Sequence, residues 1–242
     1  MPHEQMNEKQ VADYLHMDLR ELSKLASRGA IPCRKTAKGF VFRKGEVEQW
    51  VEAQMHKLPR QRLAGIEKGV SRHHGFDEDA MLIAPLIPPG GLAAPLKART
   101  REAALRGLVD LADHAGMVYA HDELLEEVRN REALCSTALA PGVALPHPRH
   151  PLPYGIAASF VVVGLTHSGV PFGAADGSLT RLFFLICCKD DRTHLHVLAR
   201  LAQMLHEGTS GVSPVEQLTQ AESPDELREI LLDLEAHALE KK

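Results

Sequence analysis

The chain has 242 residues, 44% of them hydrophobic and 25% charged, with a net charge of −4 at pH 7. This is the balance of an ordinary soluble globular protein, with room for one large domain or two modest ones. The longest apolar run, residues 156–165, is about half of what a membrane helix needs, and residues 1–15 carry Glu4, Glu8 and Asp13 instead of an apolar leader, so neither membrane insertion nor a signal peptide is expected.

The four cysteines (Cys33, Cys135, Cys187, Cys188) have no C-x-x-C spacing, and two are adjacent in an apolar stretch, which predicts reduced thiols in a cytoplasmic protein. The charge is unevenly spread. Residues 1–57 hold ten Lys/Arg against eight Asp/Glu, and residues 58–242 hold eighteen against twenty-four. A slightly basic first domain, 1–57, is therefore expected ahead of an acidic remainder.

Residues 6–54 read as a small helical module. A short helix over 8–15 carries Val11, Ala12 and Leu15 on one face, and His16-Met17 make a turn. Asp18 caps a second helix, with Glu21 completing a box-like start, Leu19, Leu22, Leu25 and Ala26 as its apolar stripe, and Gly29 as its end. A basic hairpin over 31–43 turns near Gly39 and returns through Phe40-Val41-Phe42, and a helix over 46–54 with Trp50 closes the unit. The run QVADYLHMDLRELSKLASRGAIPCRKTAKGFVFRKGEVEQWV resembles the excisionase/MerR-like winged helix-turn-helix family. That resemblance implies DNA binding, with the second helix in the major groove and the wing on the backbone. Arg20, Ser23, Lys24 and Arg28 on the helix, and Lys35, Lys38 and Arg43 on the wing, are the candidate contacts. One such module covers few base pairs, so a homodimer is expected on DNA.

Residues 58–79 read as a linker, with Pro59, Gly65, Gly69 and Gly75, scattered basic residues and no sustained apolar period; His73-His74 is taken as solvated and not as a metal site. From residue 80 to 242 the pattern becomes α/β. A strand is predicted over 81–87, a helix over 100–115 with Ala104, Leu108, Leu111 and Ala112 on one face, and a helix over 123–132. The apolar runs 155–165 and 180–188 are too continuous for half-exposed strands and predict central strands of a covered sheet. Helices over 193–207, ending at Gly208, and 223–239 follow, the latter with Leu227, Ile230, Leu231 and Leu234 inward. The expected fold is a mixed β-sheet flanked by helices.

The stretch REALCSTALAPGVALPHPRH, residues 131–150, holds His147 between Pro146 and Pro148. Prolines on both sides fix the backbone around one imidazole, which is nucleophilic when neutral and can carry a phosphoryl group. Arg131-Glu132, Ser136-Thr137 and Gly142-Val143-Ala144-Leu145-Pro146-His147 together resemble the active-site signature of the enzyme IIA domain of the bacterial phosphotransferase system, of the fructose/mannitol/nitrogen-regulatory type. In that family the histidine accepts a phosphoryl group from HPr or its nitrogen-branch relative. Where the family has glycines this chain has Ala138-Leu139-Ala140-Pro141, a stiffer backbone. The similarity extends over about residues 80–240, with THLHVLARLAQML and ESPDELREIL in the expected places.

Spacing on the 193–207 helix separates two histidines. His194 shares a stripe with Leu198, Leu201 and Leu205 facing the domain body, whereas His196, Arg200 and Gln203 are expected to face solvent. His194 also opens the family's H-L-x-x-L-A run and is assigned to hydrogen bonding of His147 or its phosphoryl oxygens. The helix start is an anion site in its own right, which implies that Asp190 and Asp191 point away. Arg131 is the expected charge partner of the phosphoryl group, and Ser136 and Thr137 hydroxyls are expected to orient the ring. Phosphohistidine chemistry calls for no cofactor and no metal. Three functions follow: a phosphorylatable regulator with a DNA-binding domain, a transport phosphocarrier passing phosphate to an enzyme IIB with the N-terminal module serving protein interaction, and a metal-dependent hydrolase using His147, His150 and His194.

Overall fold

The structure is a computed structural model, and it describes residues 5–15, 17–54, 60–75, 80–139, 142–205 and 212–240. The turn residue His16, the Ala140-Pro141 pair, the side chains of His73 and His74, and the helix end expected at residues 207–208 lie outside the described residues. Two compact units are present: Met1–Ala80 with Leu198–Gln203, and Met81–Val197 with Met204–Lys242.

In the first unit, β1 (Gln5–Asn7) leads into α1 (Glu8–Tyr14). The Asn7 side chain accepts the Gln10 N–H and the Gln10 side chain accepts the Asn7 N–H, both at 2.9 Å, a reciprocal cap that starts the helix. α2 (Leu19–Ser27) is capped by Asp18, which accepts from Arg20 N at 2.8 Å. Glu21 does not complete the expected box; its carboxylate reaches Arg62 at 3.4 Å. Leu22 and Ala26 bury as expected, but Leu19 is 46% exposed. Helical side chains lean toward the N-terminus, so the first residue of α2 overhangs the space beyond its own stripe. β2 (Arg34–Thr36) and β3 (Gly39–Arg43) form the expected antiparallel hairpin, and β1 adds to the far side of β3, a strand too short for periodicity to reveal. α3 (Lys44–Gln54) follows, and the indole Nε1 of Trp50 donates to Ala30 O at 2.6 Å.

The stretch read as a linker contains a helix, α4 (Arg60–His74). Its inward face is Leu63, Ile66, Glu67 and Ser71, all buried. Two polar residues on that face hid the helical period. Gly69, read as a breaker, is a close-approach residue: a Cβ there would lie 2.6 Å from Tyr14 O of α1. Glu67 is matched by Arg200, whose Nε donates to it at 2.7 Å, and by the amide of Gln203. Arg200 also donates to Ala80 O at 3.1 Å. The expectation that His196, Arg200 and Gln203 face solvent is therefore wrong; all three are buried, at 3% exposure or less. A guanidinium and a carboxamide survive burial here because an equally buried carboxylate takes their hydrogen bonds.

The second unit is built on a five-stranded sheet of order β4-β7-β8-β6-β5, with β4 (Leu92–Ala93), β5 (Ala138–Leu139), β6 (Val143–Ala144), β7 (Phe160–Val170) and β8 (Thr180–Cys187). β7 and β8 pair antiparallel, while β4 on β7 and β6 on β8 are parallel, so the sheet is mixed as expected. The strand starts later than the 155–165 run, at Phe160. Phe160, Val162, Phe183 and Leu185 pack against Leu105, Leu108 and Val109 of α6 (Arg101–His114) and Leu124, Leu125 and Val128 of α7 (His121–Leu134). Each large apolar side chain so buried contributes about 1.5–3 kcal/mol. The alternate residues Val161, Val163, Phe184 and Ile186 are buried too, which explains their unbroken hydrophobicity.

The strand expected over 81–87 is instead a short helix, α5 (Ile83–Leu86). The buried Glu235 of α10 (Pro224–Glu240) accepts the N–H groups of Leu82, Ile83 and Ala84 at 2.6, 2.7 and 2.9 Å. That cap lies about 150 residues away in sequence, out of reach of any local pattern. On α10 itself Leu227 and Leu231 bury, while Ile230 and Leu234 are half-buried. α8 (Asp191–Leu205) and α9 (Pro214–Thr219) complete the helices among the described residues. No helix among them is long and apolar enough to cross a membrane.

His121, at the start of α7, lies between Asp110 Oδ1 at 2.8 Å and Asp122 Oδ1 at 3.1 Å. Hydrogen bonding to Asp110 first, then Asp122, raises its pKa above the ordinary value. The charged form is favoured by folding, so this stabilisation is full below the unfolded-state pKa of about 6.5 and is lost as pH rises through the folded value. Urea midpoints measured from pH 6 upward should therefore fall more in the native chain than in His121→Asn; parallel curves would rule the linkage out.

Candidate active site

α7 delivers two functional side chains from one turn, because its apolar face at Leu124, Leu125 and Val128 fixes its rotation against the sheet. Arg131 and Glu132 are successive residues and so diverge by about 100° around the helix. β5 and β6 pair antiparallel, Ala138 opposite Ala144 and Leu139 opposite Val143, and β6 runs beside β8. Pro146 O accepts the Ile186 N–H at 2.9 Å, so the His147 segment continues alongside β8 beyond the end of β6.

His147 is buried, at 4% exposure. Its Nδ1 lies 2.7 Å from Leu145 O. A carbonyl can only accept, so the ring hydrogen sits on Nδ1 and Nε2 carries the lone pair. Arg131 Nε donates to that Nε2 at 3.0 Å. The ring of His194 is next to it, with centroids 4.9 Å apart and a tilt of 54°. Three of the residues singled out in the sequence, His147, Arg131 and His194, are thus brought together. His150 is exposed on the loop beyond them, and among the described residues no three His, Cys, Asp or Glu side chains converge as metal ligands would.

Neither Ser136 nor Thr137 directs its hydroxyl to the ring, as expected of them. Thr137 Oγ1 donates to Glu132 Oε2 at 2.6 Å, and Thr137 N–H lies 3.1 Å from both oxygens of the same carboxylate. Ser136 Oγ donates to Phe172 O at 2.8 Å. Arg101 Nη2 donates to that same carbonyl at 2.6 Å and its guanidinium lies over the Phe172 ring. Next to it Gly173 has φ +98°, and a Cβ there would come within 2.4 Å of Arg101 Nη2, so a side chain at that position would strain the backbone and displace Arg101. Glu132, Arg101 and Phe172 are the site residues that the sequence reading missed; the Arg-Glu pair of the motif was the available signal for the first of them. Burial pushes the Glu132 carboxyl above its ordinary range, opposed by its hydrogen bonds from Thr137.

The start of α8 is not an open anion site. Asp190 points at it, accepting the Thr193 N–H at 2.9 Å, so its own carboxylate fills the place proposed for a phosphate. Cys135 is exposed, with its Sγ 3.5 Å from Arg131 Nη1.

In the first unit, Arg20, Lys24, Arg28, Lys35 and Lys38 are exposed and have no acidic partner among the described residues, and Arg34 joins them. Arg43 is paired to Glu46 at 3.1 Å. Ser23 is withdrawn from this surface: its hydroxyl donates to Glu8 Oε1 at 2.7 Å, while Glu8 Oε2 accepts from Phe40 N at 3.4 Å. Glu8 thereby ties α1, α2 and the hairpin together.

The sequence profile of the family described as "Phosphoenolpyruvate-dependent sugar phosphotransferase system, EIIA 2" matches residues 90–234. The PTS system fructose-specific EIIABC component of Bacillus subtilis is 28% identical over 153 residues, which are 62% of this chain and 23% of that protein. The chain therefore spans about a quarter of that relative's length. The nitrogen regulatory protein of Bradyrhizobium diazoefficiens is 30% identical over 131 residues, 52% of this chain and 82% of the relative. Among solved structures, nitrogen regulatory protein IIA-Ntr of Neisseria meningitidis is similar at 28% identity and a TM-score of 0.54, over 62% of this chain and 99% of that one.

Proposed function

The chain belongs, through residues 90–234, to the EIIA 2 family of the phosphoenolpyruvate-dependent sugar phosphotransferase system, and from that premise we propose that it is a phosphohistidine regulator. His147 takes a phosphoryl group from an HPr-type carrier, and the N-terminal unit binds DNA. The observation that carries the first half is the pairing of both ring nitrogens. Leu145 O holds the proton on Nδ1, and Arg131 points a cationic donor at the Nε2 lone pair. In the transfer, Nε2 bonds to phosphorus as the nitrogen–phosphorus bond of the carrier breaks. The positive charge that develops on the ring remains hydrogen-bonded through Nδ1–H. Arg131 turns from Nε2 to the phosphoryl oxygens, and His194 supplies a neighbouring hydrogen-bonding ring.

The second half is supported by the exposed cations Arg20, Lys24, Arg28, Arg34, Lys35 and Lys38 on the N-terminal unit, which have no acidic partner among the described residues, and regulation by the likeness to a nitrogen regulatory protein. Titrating labelled genomic duplexes at several salt concentrations tests it. Replacing Lys35 and Lys38 with alanine should lower the slope of log affinity against log salt by about one per lost phosphate contact. No duplex competing above non-specific background would end the DNA-binding reading.

Transport is the second reading, favoured by the likeness to a fructose-specific EIIABC component. In it His147 passes its phosphoryl group to an enzyme IIB. Rapid transfer from the phosphorylated chain to an isolated IIB protein would favour it over regulation, and failure with every IIB tested would remove it.

A further inference from the structure

Arg131 and Glu132 leave the same turn of α7, and a chain of bonds from each ends on a different nitrogen of one ring. Arg131 reaches Nε2 directly. Glu132 reaches Nδ1 at second remove. Its carboxylate accepts both donors of Thr137, the N–H and the hydroxyl. Thr137 O accepts the Leu145 N–H at 3.2 Å, extending the β5–β6 ladder by one rung, and Leu145 O accepts the Nδ1–H of His147 at 2.7 Å.

Glu132 is only 2% exposed. A carboxylate is a costly group to bury unless its hydrogen bonds are needed. Here they are needed: its two oxygens take the N–H and the hydroxyl of one residue, Thr137. Ser136, whose hydroxyl is engaged by Phe172 O, cannot substitute for it.

Resting on the phosphoryl-acceptor reading of His147, we propose that Glu132 is a positioning residue for the transfer: through Thr137 it fixes the Leu145 carbonyl that keeps the histidine proton on Nδ1, and so directs the phosphoryl group to Nε2. The bond that forms is Nε2–P and the one that breaks is the carrier's N–P bond; Nδ1 keeps its proton throughout. Without Glu132 the Leu145 carbonyl loses its fixed place, both neutral tautomers are populated, and the lone pair faces Arg131 for only part of the time.

The test compares the full chain with Glu132→Ala and Glu132→Gln, each labelled with 15N-histidine. Long-range 15N–1H correlation reads the tautomer of His147, and 31P NMR of the product of the phosphoenolpyruvate, enzyme I and HPr reaction reads which nitrogen is phosphorylated. Glu132→Ala should populate the Nε2–H tautomer and slow transfer on the order of tenfold, the low end of the range seen when the outer partner of a metal-bound histidine is lost. Glu132→Gln should recover most of the rate, its carbonyl accepting from Thr137 N–H while its amide donates to the hydroxyl. Should Glu132→Ala not fold, Thr137→Val removes one of the two bonds and should shift the tautomer in the same direction. A His147 that stays wholly Nδ1–H in Glu132→Ala, or in Thr137→Val where that is the variant that folds, overturns the proposal, leaving Glu132 a purely structural residue. If the native chain takes no phosphoryl group, it is the acceptor reading that fails, and the tautomer measurement still decides the role of Glu132.

Discussion

Arg131→Ala is expected to slow phosphoryl transfer to His147 by about 10²–10³-fold, the cost of removing one preorganised donor from a site of developing charge, or about 2.7–4 kcal/mol. The geometry gives the reason. The guanidinium already sits 3.0 Å from Nε2 and is braced by its Nη1 bond to Cys135 O at 3.1 Å. It needs only a short swing to meet the incoming oxygens. Arg131→Lys should recover little, because an ammonium cannot fork between Cys135 O and a phosphoryl group. Single-turnover transfer from phosphorylated carrier measures both variants. Arg131 is only half-buried, so the melting temperature should hardly move, which separates a catalytic loss from an unfolded site. A near-native rate in Arg131→Ala would reduce this arginine to a helix-terminal charge opposing the dipole of α7.

Glu67→Ala should destabilise the N-terminal unit by about 3–5 kcal/mol, the cost of leaving one partner of a buried ion pair alone. The side chains of Glu67 and Arg200 are 0% and 1% exposed, so water cannot take over the lost partner's role. Trp50, the single tryptophan, lies in this unit, and its fluorescence in urea follows the unit's unfolding. The double variant Glu67→Leu with Arg200→Met should regain most of the loss, since apolar residues of similar volume often replace such a pair without penalty. A Glu67→Ala midpoint equal to the native one would mean that the pair contributes nothing to holding α4.

The ion pair also marks where the sequence could be read and where it could not. Elements whose cause is local were legible. The cap of α2, the Gly39 hairpin, the unbroken apolar strands β7 and β8, and the motif around His147 all announce themselves within a few residues. α4 and the inward polar face of α8 did not, for one reason: each interrupts the other's apolar stripe, and the partners are 133 residues apart. Taken singly, Glu67 and Ser71 argue for a solvated linker, and Arg200 and Gln203 for a solvated helix face. α5 follows the same logic, since MLIAPLI has the look of a strand until Glu235 caps it. Within the site, the motif points to His147, Arg131 and His194, which the structure places side by side; helical spacing alone did not separate His194 from the more buried His196. The Thr137 hydroxyl was assigned to the wrong partner because the carboxylate that claims it stands five residues earlier on α7, a distance across which neither periodicity nor capping rules operate.

The most direct test of His147 as a phosphoryl acceptor is intact mass after incubation with phosphoenolpyruvate, enzyme I and an HPr-type carrier, beside His147→Ala. An acid-labile gain of about 80 Da, one phosphoryl group on a nucleophilic histidine, is expected in the native chain and absent from the variant. An equal gain in His147→Ala, or no gain in either with any carrier, would contradict the assignment.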